Sequence, residues 1–549
     1  MRNILFLCCF SLLYNQFIIS QDSGTRSTTP FLWEAANIYF LLTDRFYNQN
    51  PENDLTLGRT QKTGHLRNFM GGDLAGITRK IKEGYFSKLG VQAIWFTPVV
   101  EQIHGATDEG TGNTYAYHGY WTKDWTALDP NFGTMEDLRA LVQTAHAHNI
   151  RILLDVVINH TGPVTKEDPV FPEAWVRTQP VCTYDSYEST TACTLVANLP
   201  DIRTDSDRSV NLPQQLINKW EKEGRLDQEL AELNDFFDRT GYPKAPRYYI
   251  IKWLTDYIRE LGVDGFRVDT VKHTEAFVWK DLKKEAQIAF SQWKQAHPEK
   301  VLDNHEFFMV GEVYGYKISN TVTYDFGDKK ENYFENGFNS LINFEFKEDA
   351  VKPYDSLFRK YDSLLYKEMP GKYVLNYLSS HDDGSPFDQD RKKAIEAANK
   401  LLLAPGASQL YYGDETARPL QIEGATGDAN LRSFMNWESI VNDLETQKIL
   451  HHYQKLGQFR KNHPAIGGGR HQTLALDPYI FQRSLDHETG TDRVIIVLDA
   501  PEGLKEININ HGFKDGTKVR DAYSGQETVV QNSIVKINSS FSIVLLEKI

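Results

Sequence analysis

The chain predicts an α/β fold: a (β/α)8 barrel of TIM type, a subdomain inserted after the third strand, and a C-terminal antiparallel β-sandwich domain. Three observations carry this reading. Short apolar runs alternate with helical segments, as strands covered on both faces of a parallel sheet require. Eight such runs occur, the number that closes a barrel. After about residue 450 the pattern changes to short alternating β segments separated by turn signals.

The N-terminus reads as an export signal. Arg2 precedes an apolar run over 4–13, and a polar exit follows at 21–24, so residues 1–20 are expected to be a signal peptide and the protein periplasmic or secreted. The run is too short for a bilayer span, and no other run is long and apolar enough to be one. Cys8 and Cys9 lie inside it behind residues that are not small, which disfavours lipid attachment. Residues 21–34 read as a disordered leader.

Strands are expected at 38–42, 93–98, 152–157, 266–269, 309–312, 341–344, 373–378 and 409–412, with a helix at 135–148. The sixth run is the least distinct. The segment 161–247 is rich in Pro, Asp and Ser and shows no barrel repeat, so it reads as an inserted subdomain between barrel segments 35–160 and 248–465. Residues 466–549 form the C-terminal domain, with β segments such as 493–498 and 542–546. A chain of 549 residues needs more than one core, in agreement with this division. A net charge of −14 argues against nucleic acid or an anionic membrane surface as partner. Without the signal only Cys182 and Cys193 remain. Such a pair in an exported chain reads as a disulfide closing a short loop, two free thiols being the alternative.

The chemistry centres on residues 262–273. A helical segment with Ile251, Leu254, Ile258 and Leu261 on one stripe leads through a glycine turn into a short strand ending at Asp269. Arg267 lies two residues earlier, on the same strand face, where its charge keeps Asp269 ionised. Alone, this is also a common structural pair. Polar residues, however, end three more strands: Asp155 to His160 after the third, Glu312 after the fifth, His381 and Asp382 after the seventh. Barrel geometry gathers these ends on one face.

These stretches, 155–160, 265–273, 311–313 and 380–382, resemble the four signature regions of the α-amylase family, glycoside hydrolase family 13. Residues 117–121, 198–201 and 411–415 match its secondary signatures, and the likeness runs from about 36 to 470. Leu199-Pro200-Asp201 and the ending Thr270-Val271-Lys272-His273 look most like the secreted and periplasmic bacterial members acting on maltodextrins. The resemblance implies that Asp269 is the nucleophile, Glu312 the general acid/base and Asp382 the transition-state stabiliser. It implies sugar contacts from Tyr120, Trp121, His160, Arg267 and His381, a leaving-group side lined by Lys272 and His273, and Asp428 with Arg432 binding the preceding sugar. The implied partner is an α-glucan bound by a monomer.

The resemblance also implies a structural Ca²⁺ held by Asn159, Asp201 and the His273 carbonyl, all hard oxygen donors. A second site reads from Asn48, Asn50, Asn53 and Asp54, closed by Gly71 and Asp73, with a solvated turn as the alternative. No His/Cys spacing supports zinc at His160. The expected activity is retaining endo-hydrolysis of α-1,4-glucosidic bonds. The rivals are a transglycosylase or cyclodextrin-type hydrolase of the same family and a non-catalytic glucan-binding relative, the last disfavoured by the intact Asp269, Glu312 and Asp382.

Overall fold

The computed structural model describes residues 30–549 apart from Thr489. The expected signal peptide and residues 21–29 of the expected leader lie outside the described residues. At the described end of that leader, Trp33 stacks on Phe308 with ring centroids 4.0 Å apart, and the Arg151 guanidinium lies 3.8 Å from the Phe31 ring. Packing therefore begins ahead of residue 35.

Eight parallel strands close a barrel: β1 (Asn37–Leu41), β2 (Ala93–Phe96), β3 (Arg151–Val156), β4 (Gly265–Val268), β5 (Phe308–Gly311), β6 (Ser340–Asn343), β7 (Tyr373–Tyr377) and β8 (Ala407–Tyr411), with β8 pairing onto β1. All eight expected runs are present. Several start one residue early because the first strand residue is polar or small, as at Asn37, Arg151, Gly265 and Ser340, and so falls outside the apolar pattern.

Helices α1 (Leu74–Lys82), α2 (Met135–Ala147), α3 (Pro246–Leu261), α4 (Ala276–Ala296), α5 (Tyr354–Ser363), α6 (Ala394–Leu402) and α7 (Leu444–Asn462) cover the outside. Their ends are marked locally. Asp73 accepts from Gly76 N at 2.6 Å to open α1, and Thr134 and Asp137 form a capping box on α2. Gly262 ends α3 at φ +73°, where an added Cβ would fall 2.0 Å from the Trp293 ring, so only glycine satisfies both turn and packing.

Between β3 and α3 the chain pairs Val176–Arg177 with Asp201–Ile202 and adds helices Glu188–Thr191, Gln214–Glu223 and Leu226–Thr240. A disulfide joins Cys182 to Cys193 and brackets the first of these helices. The C-terminal domain contains β9 (Arg470–Leu476), β10 (Tyr479–His487), β11 (Gly490–Leu498), β12 (Gly503–Asn508), β13 (Lys518–Asp521), β14 (Glu527–Val529), β15 (Ile534–Ser539) and β16 (Val544–Lys548). They form an antiparallel sheet in the order β9-β10-β11-β16-β13-β14 and a separate β12–β15 pair. Ile480, Val497 and Val544 from the larger sheet share one core with Ile507 and Ile537 from the smaller. Buried Arg483 fastens this domain to the barrel by donating to Ile466 O and Leu403 O. No helix among the described residues is long and apolar enough to cross a membrane.

Candidate active site

In the β3–β4 register Arg267 sits opposite Asp155. Beneath them Phe40 and Trp95 stack at 3.7 Å, the Arg267 guanidinium lies 4.9 Å from the Trp95 ring centre, and the Trp95 indole donates to Asp155 Oδ2 at 2.8 Å. This platform holds Arg267, 1% exposed, in one orientation. From it Nη1 donates to Asp269 Oδ1 at 2.6 Å and to Asp155 Oδ1 at 3.0 Å, while Nη2 lies 3.2 Å from Glu312 Oε2. Asp269 and Glu312 each stand one residue beyond a strand end. Thr270 adopts φ +49°, a conformation costing a β-branched residue about 1–3 kcal/mol, and thereby turns its N–H onto Glu312 Oε2 at 3.0 Å.

One guanidinium cannot neutralise three buried carboxylates, so the acids divide. Burial raises Asp269, but the Arg267 charge, His160 and hydrogen bonds from Arg267 and Glu312 outweigh it and hold this carboxyl below its ordinary value. Glu312 is pushed well above its ordinary value by burial and by the charges of Asp269 and Asp382, against Arg267. Burial lifts Asp155 to about 7, with Asp269 adding and Arg267, Trp95 and Tyr120 opposing. The product is a carboxyl held toward its ionised form beside one held toward its protonated form, the pair that nucleophilic attack with acid assistance needs.

Asp269 and Glu312 line a cavity of about 600 Å³ together with Tyr120, Trp121, Lys272, His273, His381, Asp382, Asp428 and Arg432. His160 and Arg267 stand behind its wall. Tyr120 donates to Asp155 Oδ2 at 2.8 Å, and its ring stacks on His381 at 5.2 Å. Trp121 borders the cavity but turns into a small core with Ile103, Ala116 and Leu199. Burial pulls His160 and His381 below the ordinary histidine value, so both present neutral rings. Asp382 is one-third exposed in the cleft; the surrounding protein raises it against Arg432 and Arg267. On one side Lys272 contacts Tyr324 OH at 3.1 Å, and His273 Nδ1 lies 3.2 Å from Thr190 O in the disulfide loop. On the other, Arg432 pairs with Asp428 at 2.7 Å and donates to His381 O at 2.8 Å. A wider cavity of about 1150 Å³ at the opposite end of the barrel is bordered by Phe31, Arg151, Trp293 and Asp303, far from these acids.

The residues read as metal ligands also converge. Asn159 Oδ1 lies 2.8 Å from His273 O and 3.3 Å from Asp201 Oδ1. Oxygens facing oxygens suit a hard cation between them; with the amide turned over, Asn159 would instead donate to His273 O. Asp201 Oδ2 is buried without a hydrogen bond, its nearest cation being Arg177 Nε at 3.0 Å. In the second cluster Asn48 donates to both Asp54 oxygens, and Asn48 Oδ1 and Asn53 Oδ1 are buried acceptors without partners. An added Cβ on Gly71 would strike Asn48 and Asp54, so its backbone reaches this cluster. Asp73 is committed to three backbone N–H groups, of Gln49, Asn50 and Gly76.

Sequence reasoning missed several cleft residues: His118, Tyr184, Leu195, Tyr314 and Glu109 line the cavity, and Arg67 holds Asp428 at 2.8 Å. They lie on loops without periodicity. The one available signal was His118, inside the 117–121 signature.

The family description "Alpha amylase, catalytic domain" matches residues 40–443. The periplasmic alpha-amylase of Escherichia coli K12 is 36% identical over 542 residues, covering 88% of this chain and 75% of that protein. A cyclomaltodextrin glucanotransferase of Geobacillus stearothermophilus is 26% identical, covering 90% of this chain and 63% of that protein. Among solved structures, an Anoxybacillus alpha-amylase superimposes with a TM-score of 0.65 at 21% identity, covering 94% of this chain and 99% of that one. The Geobacillus thermoleovorans alpha-amylase solved with acarbose gives a TM-score of 0.64 at 20% identity, covering 94% and 99%. At these identities the structures speak for the fold alone. The chain belongs to the α-amylase family, glycoside hydrolase family 13, and is an enzyme acting on α-glucans.

Proposed function

We propose that the chain is an exported α-amylase that hydrolyses internal α-1,4-glucosidic bonds of starch, glycogen or maltodextrins with retention. The observation that carries the reading is the Arg267 fork, with ionised Asp269 on one nitrogen and protonated Glu312 on the other. Asp269 attacks the anomeric carbon while Glu312 gives its proton to the glycosidic oxygen, so the bond to the leaving chain breaks as an ester forms. Water then enters; Glu312, now ionised, takes its proton, and the resulting attack frees Asp269. Both carboxyls reach the same guanidinium, Asp269 at 2.6 Å and Glu312 at 3.2 Å, which supports the close pair that a retaining enzyme uses. Asp382 and the neutral His381, which line the cleft, would bind hydroxyls of the distorted ring, and Tyr120 would offer its face; His160 Nε2 lies 3.1 Å from Tyr120 O, behind that wall.

Calcium fits the first oxygen cluster, where Asn159, Asp201 and the His273 carbonyl would hold one ion; at the second, Asn48, Asn53, Asp54 and Gly71 would hold it, while Asp73 is taken by three backbone N–H groups and Asn50 Oδ1 by Glu52 N. The first would tie the end of β3, the inserted segment and the end of β4 together. Export is supported by the N-terminal signal pattern, by the disulfide and by the periplasmic relative.

The test is the product profile from soluble starch, with anomers followed by NMR. Short linear maltooligosaccharides released first as α-anomers are expected. Cyclic or lengthened products would move the reading to transglycosylation, and binding without products would move it to a glucan-binding protein.

A further inference from the structure

The wall beyond Arg432 carries a chain of alternating charges ending at an acid that belongs to no signature. Arg432 holds Asp428 Oδ2 at 2.7 Å, and Asp428 Oδ1 accepts from Arg67 Nη2 at 2.8 Å. Arg67 Nη1 in turn lies 3.8 Å from Glu109 Oε2. Glu109 sits at the tip of a hairpin that pairs Thr107–Asp108 with Asn113–Thr114. The tip is shaped by its own residues: Asp108 Oδ1 accepts from Gly110 N at 2.8 Å and Gly112 N at 3.0 Å, and both glycines have positive φ. Its base is tied down by Gly64 N donating to Asn113 O and Tyr115 N donating to Arg67 O, each at 3.0 Å. An added Cβ on Gly64 would fall 2.6 Å from Thr111 O, so the hairpin lies directly against the loop that carries Arg67.

Glu109 lines the same cavity as Asp269, Glu312 and Asp382. Unlike Arg67 and Asp428, whose bonds fix them to each other, its carboxylate is 44% exposed and accepts no hydrogen bond among the described residues. An ion-pair contact of 3.8 Å is longer than a hydrogen bond and leaves its oxygens open to a ligand. Burial and the Asp428 charge raise this carboxyl above its ordinary value, against Arg67 and Arg432; in its ionised form an acid at a hairpin tip beside the cleft is a bidentate acceptor for vicinal sugar hydroxyls.

We propose that Glu109 is a specificity residue of the amylase reaction: it binds hydroxyls of the glucan on the side retained by Asp269, and its hairpin limits how many sugars that side holds. The proposal rests on the amylase reading above and names a residue that reading does not use.

The experiment compares wild type, Glu109→Ala, Glu109→Gln and Glu109→Asp on linear maltooligosaccharides labelled at the reducing end. For Glu109→Ala the expected result is a KM about tenfold higher on long substrates, the loss of one charge-assisted hydrogen bond, with kcat within about twofold. Bond-cleavage frequencies should shift toward longer labelled fragments, because binding modes that fill the far retained-side position lose affinity. Glu109→Asp should restore part of the wild-type pattern. Unchanged KM and cleavage frequencies in Glu109→Ala would overturn the proposal, and a lowered melting temperature with the wild-type pattern would make the residue structural only. Wild type that releases cyclic fragments or none refutes the amylase reading itself, which separates the two failures.

Discussion

Arg267 on β4 and Asp269 one residue past its end meet at 2.6 Å, and that contact decides which of the neighbouring acids keeps its charge. The same guanidinium touches Asp155 and Glu312 at 3.0 and 3.2 Å, yet both are raised while Asp269 is lowered. Buried carboxyls compete for one cation, and the shortest contact wins. The division of labour in the site is thus a consequence of strand geometry: residues two apart on a strand leave the same face.

Turnover should therefore need Asp269 ionised and Glu312 protonated. The acid limb of kcat/KM is expected below the ordinary aspartate range, since Asp269 is lowered, and the alkaline limb well above the ordinary glutamate value, since Glu312 is raised. Asp269→Asn should cut kcat by about four orders of magnitude or more while leaving the melting temperature within a few degrees. Substantial residual hydrolysis by a folded Asp269→Asn protein would remove it as the nucleophile.

The barrel was legible because its strands are buried on both faces, so each writes a short apolar run into the sequence whatever its neighbours. The acids proposed for catalysis were legible because they end those runs. Asp155 was read as part of a signature, but its grip on Arg267 appears only once the β3–β4 register is known. Trp121 shows the limit of adjacency: next to Tyr120 in sequence, it turns into a core with Ile103 and Leu199. Arg67, Glu109, Tyr184 and Tyr314 reach the cleft from loops, whose placement depends on contacts such as Gly64 against Thr111 that no periodicity encodes.

The oxygen cluster at Asn159 makes chelation a direct test. With Asn159 Oδ1 2.8 Å from His273 O, removing a cation leaves like-charged atoms facing one another, and the local structure loosens. Chelator treatment is expected to lower the melting temperature by several degrees, and added Ca²⁺ to restore it. Asp201→Ala should have a low melting temperature already and lose most of the chelator response. A full chelator response in Asp201→Ala would assign the ion to another site, such as the cluster around Asn48 and Asp54.

His463 supplies the clearest pH dependence outside the cleft. It follows α7 and bridges to the C-terminal domain, with Nδ1 2.8 Å from Asp492 Oδ1 and Nε2 2.7 Å from Glu547 Oε2. Ala465 N also donates to Asp492, and Arg520 Nε to Glu547, so both acids are held in place. Burial alone would pull the imidazole down; the hydrogen bonds and charges of the two acids prevail and raise it to about 9. A group raised on folding stabilises fully below its unfolded value, near 6.5, and that stabilisation is lost as pH climbs through the folded value. Wild type should therefore exceed His463→Gln by about 3 kcal/mol at pH 6, and the gap should close between about pH 6.5 and 9. Denaturant melts of both proteins across that range measure the gap; a difference that stays constant with pH would show that His463 contributes packing and not charge.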